Sequence, residues 1–247
     1  MNSPDKWSTP PAHLTLIRND LHIWRVALEV RSESLTRHST VLSADELARA
    51  DRYVFARDRQ HFIVARATLR LLLGKYLCTS PSSMHFEVGP YGKPFLGEEF
   101  QASKLKFNVS HAYGLGLFAF TISGECGIDV EKIRPEFATR EVAKNYFSAQ
   151  EISELDALSP SLFATGFFEC WTRKEAYLKA RGAGLQIPLD SFAVTATPGR
   201  RPELSSGDSS RWSIYSFQPF QDFVAAVVAD RLEWTLTFYD ATDFPEL

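Results

Sequence analysis

The chain has 247 residues, 45% hydrophobic and 13% aromatic, with a formal net charge of −3. That length suits one large domain or two small ones with a substantial core, and nothing marks disorder along the whole chain. The negative charge argues against a dedicated nucleic-acid binder, and the longest apolar run, residues 223–229, is far too short to span a membrane.

In chain order, residues 1–14 read as a polar, Pro-rich lead-in without a signal-peptide core, expected to be mobile. Residues 21–28 have strand character. Ser43-Ala-Asp-Glu46 is a capping box that opens a helix. A longer helix is expected from about 58 to 77, closed by Ser80-Pro81, with Phe62, Ala65, Leu69, Leu72, Leu73 and Tyr76 as its apolar stripe. Strands follow at 84–88, 105–109, 115–122 and 127–130, with dense turn chemistry at residues 89–94. A second helical block starts near Thr139, and Ser148-Ala-Gln-Glu151 is another capping box. A long helix over about 161–180 ends at Gly182 and Gly184. Four strands complete the chain, at 191–195, 212–217, 223–228 and 234–239, around a surface loop at 197–210. Cys78, Cys126 and Cys170 lack zinc or redox spacing and read as reduced thiols, small buried fillers of a cytoplasmic protein. The order of elements predicts two α+β halves joined near residue 125: an N-terminal half, 15–125, and a C-terminal half, 126–247.

The long helix near the C-terminal side carries the most informative segment. Phe163, Phe167, Trp171 and Leu178 form a buried stripe, and Lys174 falls in its middle with Glu175 on its edge. A charge placed there needs a partner or a metal. Taken alone, a Glu175–Lys179 pair beside an outward-reaching Lys174 explains the pattern.

Three other constellations change that balance. In Gly127-Ile-Asp129-Val-Glu131 the two carboxylates share one strand face, opposite Ile128 and Val130, and two carboxylates so placed suit a hard cation such as Mg²⁺. An isolated D-x-E is more often a solvated face; Glu175 would complete a three-oxygen site. In Phe107-Asn-Val-Ser110-His111 a strand ends in a Ser-His pair suited to phosphate, without the accompaniments of a serine hydrolase. Residues 49–75 hold seven Lys/Arg against two acids, and Arg59, Arg66 and Arg70 share one helix face as a plausible anion cradle. Gly92-Lys93-Pro94 is a rigid turn.

Taken together, these segments resemble the phosphopantetheinyl transferase superfamily in its surfactin-synthetase-activating class, most like bacterial, including cyanobacterial, members. The resemblance runs over about residues 45–195. It rests on Arg57-Asp-Arg-Gln-His-Phe-x-x-Ala-Arg66, Gly92-Lys-Pro94, Phe107-Asn-Val-Ser-His111, Gly127-Ile-Asp129-Val-Glu131 and Trp171-x-x-Lys174-Glu175-Ala-x-x-Lys179. It implies a pseudo-dimer of two similar α/β halves, each a mainly antiparallel sheet packed against a long helix. It also implies an Mg²⁺-dependent enzyme, with Mn²⁺ possible, that transfers 4′-phosphopantetheine from coenzyme A to a serine of an apo acyl or peptidyl carrier protein. Carried over by position, Asp129, Glu131 and Glu175 match the metal ligands, and Lys179 the lysine that neutralises the leaving phosphate. Lys174, Ser110 and His111 match phosphate contacts, Lys93 and Pro94 the adenine border, and Arg49, Arg52 and Arg66 the 3′-phosphate site. Glu151 matches a candidate base, although its place in a capping box explains it equally; Glu175 and a metal-bound water are rivals. The resemblance further implies a cytoplasmic monomer and an acidic carrier helix received on about residues 131–147, with Phe137, Tyr146 and Phe147 as candidate anchors. Two readings compete: a coenzyme A or nucleotide-binding protein without turnover, and an Mg²⁺-dependent nuclease or phosphatase, which the acidic charge disfavours.

Overall fold

Alternating apolar residues decide the layers of this protein. The computed structural model describes residues 7–182, 184–205, 208–230 and 233–241. The first part of the chain forms strand β1 (Asp20–Ala27), then helices α1 (Ser32–Ser39), α2 (Ala44–Ala50) and α3 (Ala56–Leu77). Strands β2 (Phe86–Val88), β3 (Pro94–Leu96), β4 (Lys106–Ala112), β5 (Leu115–Thr121) and β6 (Cys126–Lys132) follow. Helices α4 (Arg140–Tyr146), α5 (Ala149–Asp156) and α6 (Pro160–Arg181) come next. The last strands are β7 (Ala193–Val194), β8 (Leu204–Ser205), β9 (Trp212–Phe217), β10 (Phe223–Asp230) and β11 (Thr235–Asp240).

Two sheets carry the fold, one ordered β11-β1-β5-β4 and the other β6-β10-β9. Every pairing in them is antiparallel except β1 with β11. Successive side chains of a strand point to opposite faces. Accordingly, Leu21, Ile23, Leu117 and Ala119 of the first sheet meet Ile128, Val130, Ala225 and Val227 of the second in one buried layer between the sheets. On the outer face of the first sheet, Trp24, Phe118 and Phe120 pack against Val64, Leu69 and Leu72 of α3. Outside the second sheet, Val224, Ala226 and Val228 pack against Phe167, Ala176 and Tyr177 of α6. The layers therefore run helix, sheet, sheet, helix, the expected α+β architecture with a 22-residue helix on each sheet, but β11, expected in the half 126–247, joins the first sheet beside β1.

Several details differ from the expectations. Helix α1 was not foreseen, because Ser32–Ser39 has no apolar stripe of its own. Helix α3 ends at Cys78 in the left-handed conformation (φ 50°), before Ser80-Pro81, and leaves that thiol exposed rather than a buried filler. β4 runs through Ser110 and His111 instead of ending there. The expected strand at 191–195 shrinks to two residues, and the loop at 197–210 contributes β8. In the lead-in, residues 1–6 lie outside the described residues, as do 206–207 of that loop. Trp7 is anchored rather than mobile: its ring packs edge-on to Phe238 at 5.2 Å, under the Arg25 guanidinium, and Ser8 bridges to Tyr239 of β11. No helix among the described residues is long and apolar enough to cross a membrane.

A buried histidine lies on the α3 face of β1. Trp24 Nε1 donates to the Tyr76 hydroxyl (2.9 Å), and the same hydroxyl hydrogen-bonds His22 Nδ1 (2.8 Å), which gives the buried ring a neutral partner. Burial lowers the His22 pKa from 6.5 to about 4, with Asp20 opposing. As pH falls from 6.5 to 4, the unfolded chain binds the proton and the folded one does not, so stability is lost across that window. The loss reaches about 3 kcal/mol at the lower end. The urea midpoint should therefore fall between pH 6.5 and 4 in the wild type, and His22→Gln should remove that component. Superimposable pH profiles for the two proteins would refute the neutral, buried histidine.

Candidate active site

Gly127 opens the site. Ile128 and Val130 of β6 point into the layer between the sheets, so Gly127, Asp129 and Glu131 face α6. A Cβ at Gly127 would overlap the Ala176 carbonyl oxygen and the Ala180 amide nitrogen, so the backbone of α6 lies directly on the strand. That contact sets Glu175 and Lys179, one turn apart on α6, above Asp129.

The resulting network joins three elements. Lys179 Nζ is 2.6 Å from Asp129 Oδ1 and also donates to Ser110 Oγ (3.0 Å) and the Ile128 carbonyl (3.2 Å). Ser110 on β4 donates to the same Asp129 oxygen at 2.9 Å. Two residues earlier, Asn108 Oδ1 accepts the Ile128 amide at 2.8 Å. Asn108 and Ser110 thus stitch the edge of the first sheet to the edge of the second, and Asp129 sits on that seam. Asn108 was not singled out from the sequence; its signal was its place two residues before Ser110, on the same strand face.

Negative charge is in surplus here. Burial, then Asp129 and Glu175, push Glu131 up to about 7, while Arg134 and Lys179 pull the other way. Burial and Asp129 likewise raise Glu175. Asp129 Oδ2 is buried and has no hydrogen-bond partner. Among the described residues no group of three His, Cys, Asp or Glu side chains is already gathered to hold a metal ion. Lys179 neutralises Asp129. The carboxylate oxygens, the orphan Oδ2 and the raised Glu131 and Glu175 fit a hard divalent cation in donor type and charge.

Two expected site residues take a different position. Lys174 is fully buried, with Nζ on both Glu151 oxygens (2.5 and 2.7 Å) and the Phe192 carbonyl (2.7 Å). Glu151 is also fully buried and accepts the Ser148 and Val194 amides, both at 2.7 Å. Every oxygen of Glu151 is occupied, so it reaches neither a carrier serine nor solvent, and Lys174 reaches no phosphate. The pair ties α5, α6 and β7 together behind Glu175. The expected Glu175–Lys179 pair is replaced by Lys179–Asp129.

The remaining expected residues border the seam or the first sheet's helices. His111 reaches the surface beside Lys179 and His61; burial, then those two neighbours, lower its pKa. Lys93 Nζ donates to Glu125 Oε2 and the Cys126 carbonyl, both at 3.2 Å, which sets the turn before Pro94 against the start of β6. Arg49 and Arg52 line a cavity of about 490 Å³ with Tyr53. Arg66 rests 3.4 Å from Glu46, its pKa lowered by burial and by nearby Arg49 and Arg70. The expected cradle of Arg59, Arg66 and Arg70 does not form: Arg70 is buried on Glu46 at 2.7 Å and Arg59 pairs with Asp51 at 2.8 Å. At the other border Arg134, unforeseen, donates to the Tyr113 hydroxyl at 2.7 Å and lies 4.2 Å over the Phe137 ring.

A family profile described as the 4′-phosphopantetheinyl transferase superfamily matches residues 125–228, and one described as 4′-phosphopantetheinyl transferase, N-terminal, matches residues 29–122. The chain is 36% identical over 233 residues to the 4′-phosphopantetheinyl transferase HetI of Nostoc sp., covering 94% of this chain and 97% of that one. It is 34% identical over 180 residues to a putative 4′-phosphopantetheinyl transferase of Synechocystis sp., covering 72% and 73% of the two chains. To the 4′-phosphopantetheinyl transferase Sfp of Bacillus subtilis it is 30% identical over 162 residues, 66% and 70% of the two.

The buried pair makes a stability prediction. Lys174→Met leaves Glu151 charged and unpaired and should cost roughly 3–5 kcal/mol. Adding Glu151→Gln, which removes the stranded charge and keeps an acceptor for one of the two backbone amides, should recover part of that loss in urea denaturation. Equal stability of the single and double variants would contradict the coupling.

Proposed function

The chain belongs to the 4′-phosphopantetheinyl transferase superfamily, and on that premise we propose how its residues divide the work. It transfers the 4′-phosphopantetheine group of coenzyme A to a serine of an apo carrier protein. The serine oxygen bonds to the phosphorus that carries pantetheine, the bond from that phosphorus to the nucleotide side breaks, and adenosine 3′,5′-bisphosphate leaves. The observation that carries the assignment is the seam itself: Asp129, Glu131 and Glu175 in charge surplus beside a lysine that reaches the cleft.

Asp129, Glu131 and Glu175 are the proposed holders of Mg²⁺; Mn²⁺ accepts the same oxygen ligands. When bound, the cation offsets the negative charge of the pyrophosphate and of the leaving oxygen. Lys179 supplies a second positive charge to the leaving phosphate and is the proposed acid for it, held in place by Ser110 and the Ile128 carbonyl. Ser110 acts through Asp129 and Lys179, and His111, whose lowered pKa favours the neutral ring, borders the phosphates as a hydrogen-bonding group. Arg49, Arg52 and Arg66 are proposed for the 3′-phosphate, with Lys93 and Pro94 on the adenine side. Of the two expected glutamate bases, Glu175 is only partly buried, whereas Glu151 is sealed. Glu175 is therefore the proposed acceptor of the serine proton. Unpaired cysteines support a reducing, cytoplasmic setting, and a monomer is the proposed working form.

The carrier is proposed to dock on residues 131–147. Phe137 is 54% exposed and Tyr146 45% exposed, and Arg134 stands between Phe137 and Glu131 to meet an acidic helix. Phe147, at 2% exposed, belongs to the core instead.

Two experiments test this reading. Incubation with coenzyme A, Mg²⁺ and apo carrier proteins should add one phosphopantetheine to the carrier's intact mass, and EDTA should abolish the gain. Asp129→Ala should keep the fold and lose transfer; turnover retained in Mg²⁺ would sink the metal assignment. Coenzyme A binding without any gain on a panel of carriers would favour the binding-protein reading. Separately, Phe137→Ala should raise KM for the carrier about tenfold with KM for coenzyme A unchanged. An unchanged carrier KM would move the docking surface elsewhere.

A further inference from the structure

One groove of the molecule lies away from the seam. Among the described residues β9 is the free edge of its sheet, with β10 as its one neighbour. Beyond that edge stands the small β7–β8 hairpin, and no strand ladder joins the two. Arg173 spans the space instead: Nε donates to Ser216 Oγ at 2.8 Å, and a terminal nitrogen donates to the Thr195 carbonyl just past β7. The space is a groove of about 870 Å³. Ser213 to Phe217, five successive residues of β9, form one wall; Glu203 and Leu204 form the other, and Leu236 and Phe238 of β11 close an end. None of these residues belongs to the catalytic seam.

We propose that this groove receives an extended segment of a partner protein, added as a strand on β9, with apolar and acidic residues alternating. Each part of that description follows from the walls. A groove that follows an edge strand for five residues fits an extended backbone, which rises about 3.3 Å per residue and pairs through main-chain groups. Phe217, Leu236 and Phe238, which share the side of β9 that faces the layer between the sheets, offer apolar surface to one face of such a strand. Arg200 and Arg201 stand exposed on the rim against the single acid Glu203, so the other face meets positive charge. The floor does not compete for the segment's charges, because Arg173 is buried and matched by Glu169 at 2.6 Å. An exposed edge strand is a surface on which another strand can pair.

The test uses the full chain and the acetylated, amidated hexapeptide Glu-Ile-Glu-Val-Glu-Leu as probe. Amides of β9 that do not pair with β10 should exchange with solvent freely in the unliganded protein and at least about tenfold more slowly with the probe. The same peptide N-methylated at alternate residues should give no slowing. Arg200→Glu with Arg201→Glu should abolish the effect, and a probe with Lys in place of Glu should restore it. The proposal falls if the probe gives no slowing at millimolar concentration, or if the N-methylated peptide works equally well. It falls too if those amides are already protected without probe, since the chain's own residues would then fill the slot, or if they become protected by concentration-dependent dimerisation. Transfer to carriers is read in a separate assay, so failure here leaves the catalytic assignment standing.

Discussion

The backbone contact between Gly127 and the last turns of α6 governs everything built around it. A helix normally stands off a sheet by the thickness of two side chains. Here one partner has no side chain, and peptide groups of α6 rest on β6. Only at that separation can Lys179 reach Asp129, Ser110 and the Ile128 carbonyl at once. The same closeness desolvates Glu131 and Glu175, which is the first cause of their raised pKa values. Charge surplus and close packing are two aspects of one contact.

Buried charge on α6 serves three separate purposes. Arg173 pairs with Glu169 and holds the β7–β8 hairpin and β9 at a fixed separation. Lys174 pairs with Glu151 and fixes α5. Lys179 neutralises Asp129 on the seam. Successive residues of a helix point about 100° apart, so adjacent Arg173 and Lys174 address different neighbours while Lys179 addresses the cleft. Each of these cations brings two or more hydrogen bonds to its site, which is the condition for burying a charge without a net penalty.

Much of this was visible in the residues because it is local. The two-residue period of Gly127, Asp129 and Glu131 put both carboxylates on one face, and the structure turns that face to α6. Lys174 stood out as a charge in an apolar stripe, and it is buried. Its partner was not predictable in that way, since Glu151 lies on another helix and its capping role already accounted for it. Arg66 and Arg70 looked like an open basic face because Glu46, their partner, is twenty or more residues away. Asn108 was hidden for the same reason: a side chain that stitches two sheet edges has no signature until both edges are in place. Helix α1 escaped because its sequence offers caps and charges but no stripe.

One pairing has a consequence for the order in which the protein is made. β11 lies parallel to β1, with Asp20 opposite Thr235 and Arg25 opposite Asp240, inside the first sheet rather than the second. The flank of β1 waits for a strand synthesised about two hundred residues later, long after α3, β4 and β5 have emerged to pack on its other side. Contacts that close so late carry a high entropic cost and slow the final step of folding. During translation the nascent first sheet presents an open edge at β1 until the returning strand pairs with it.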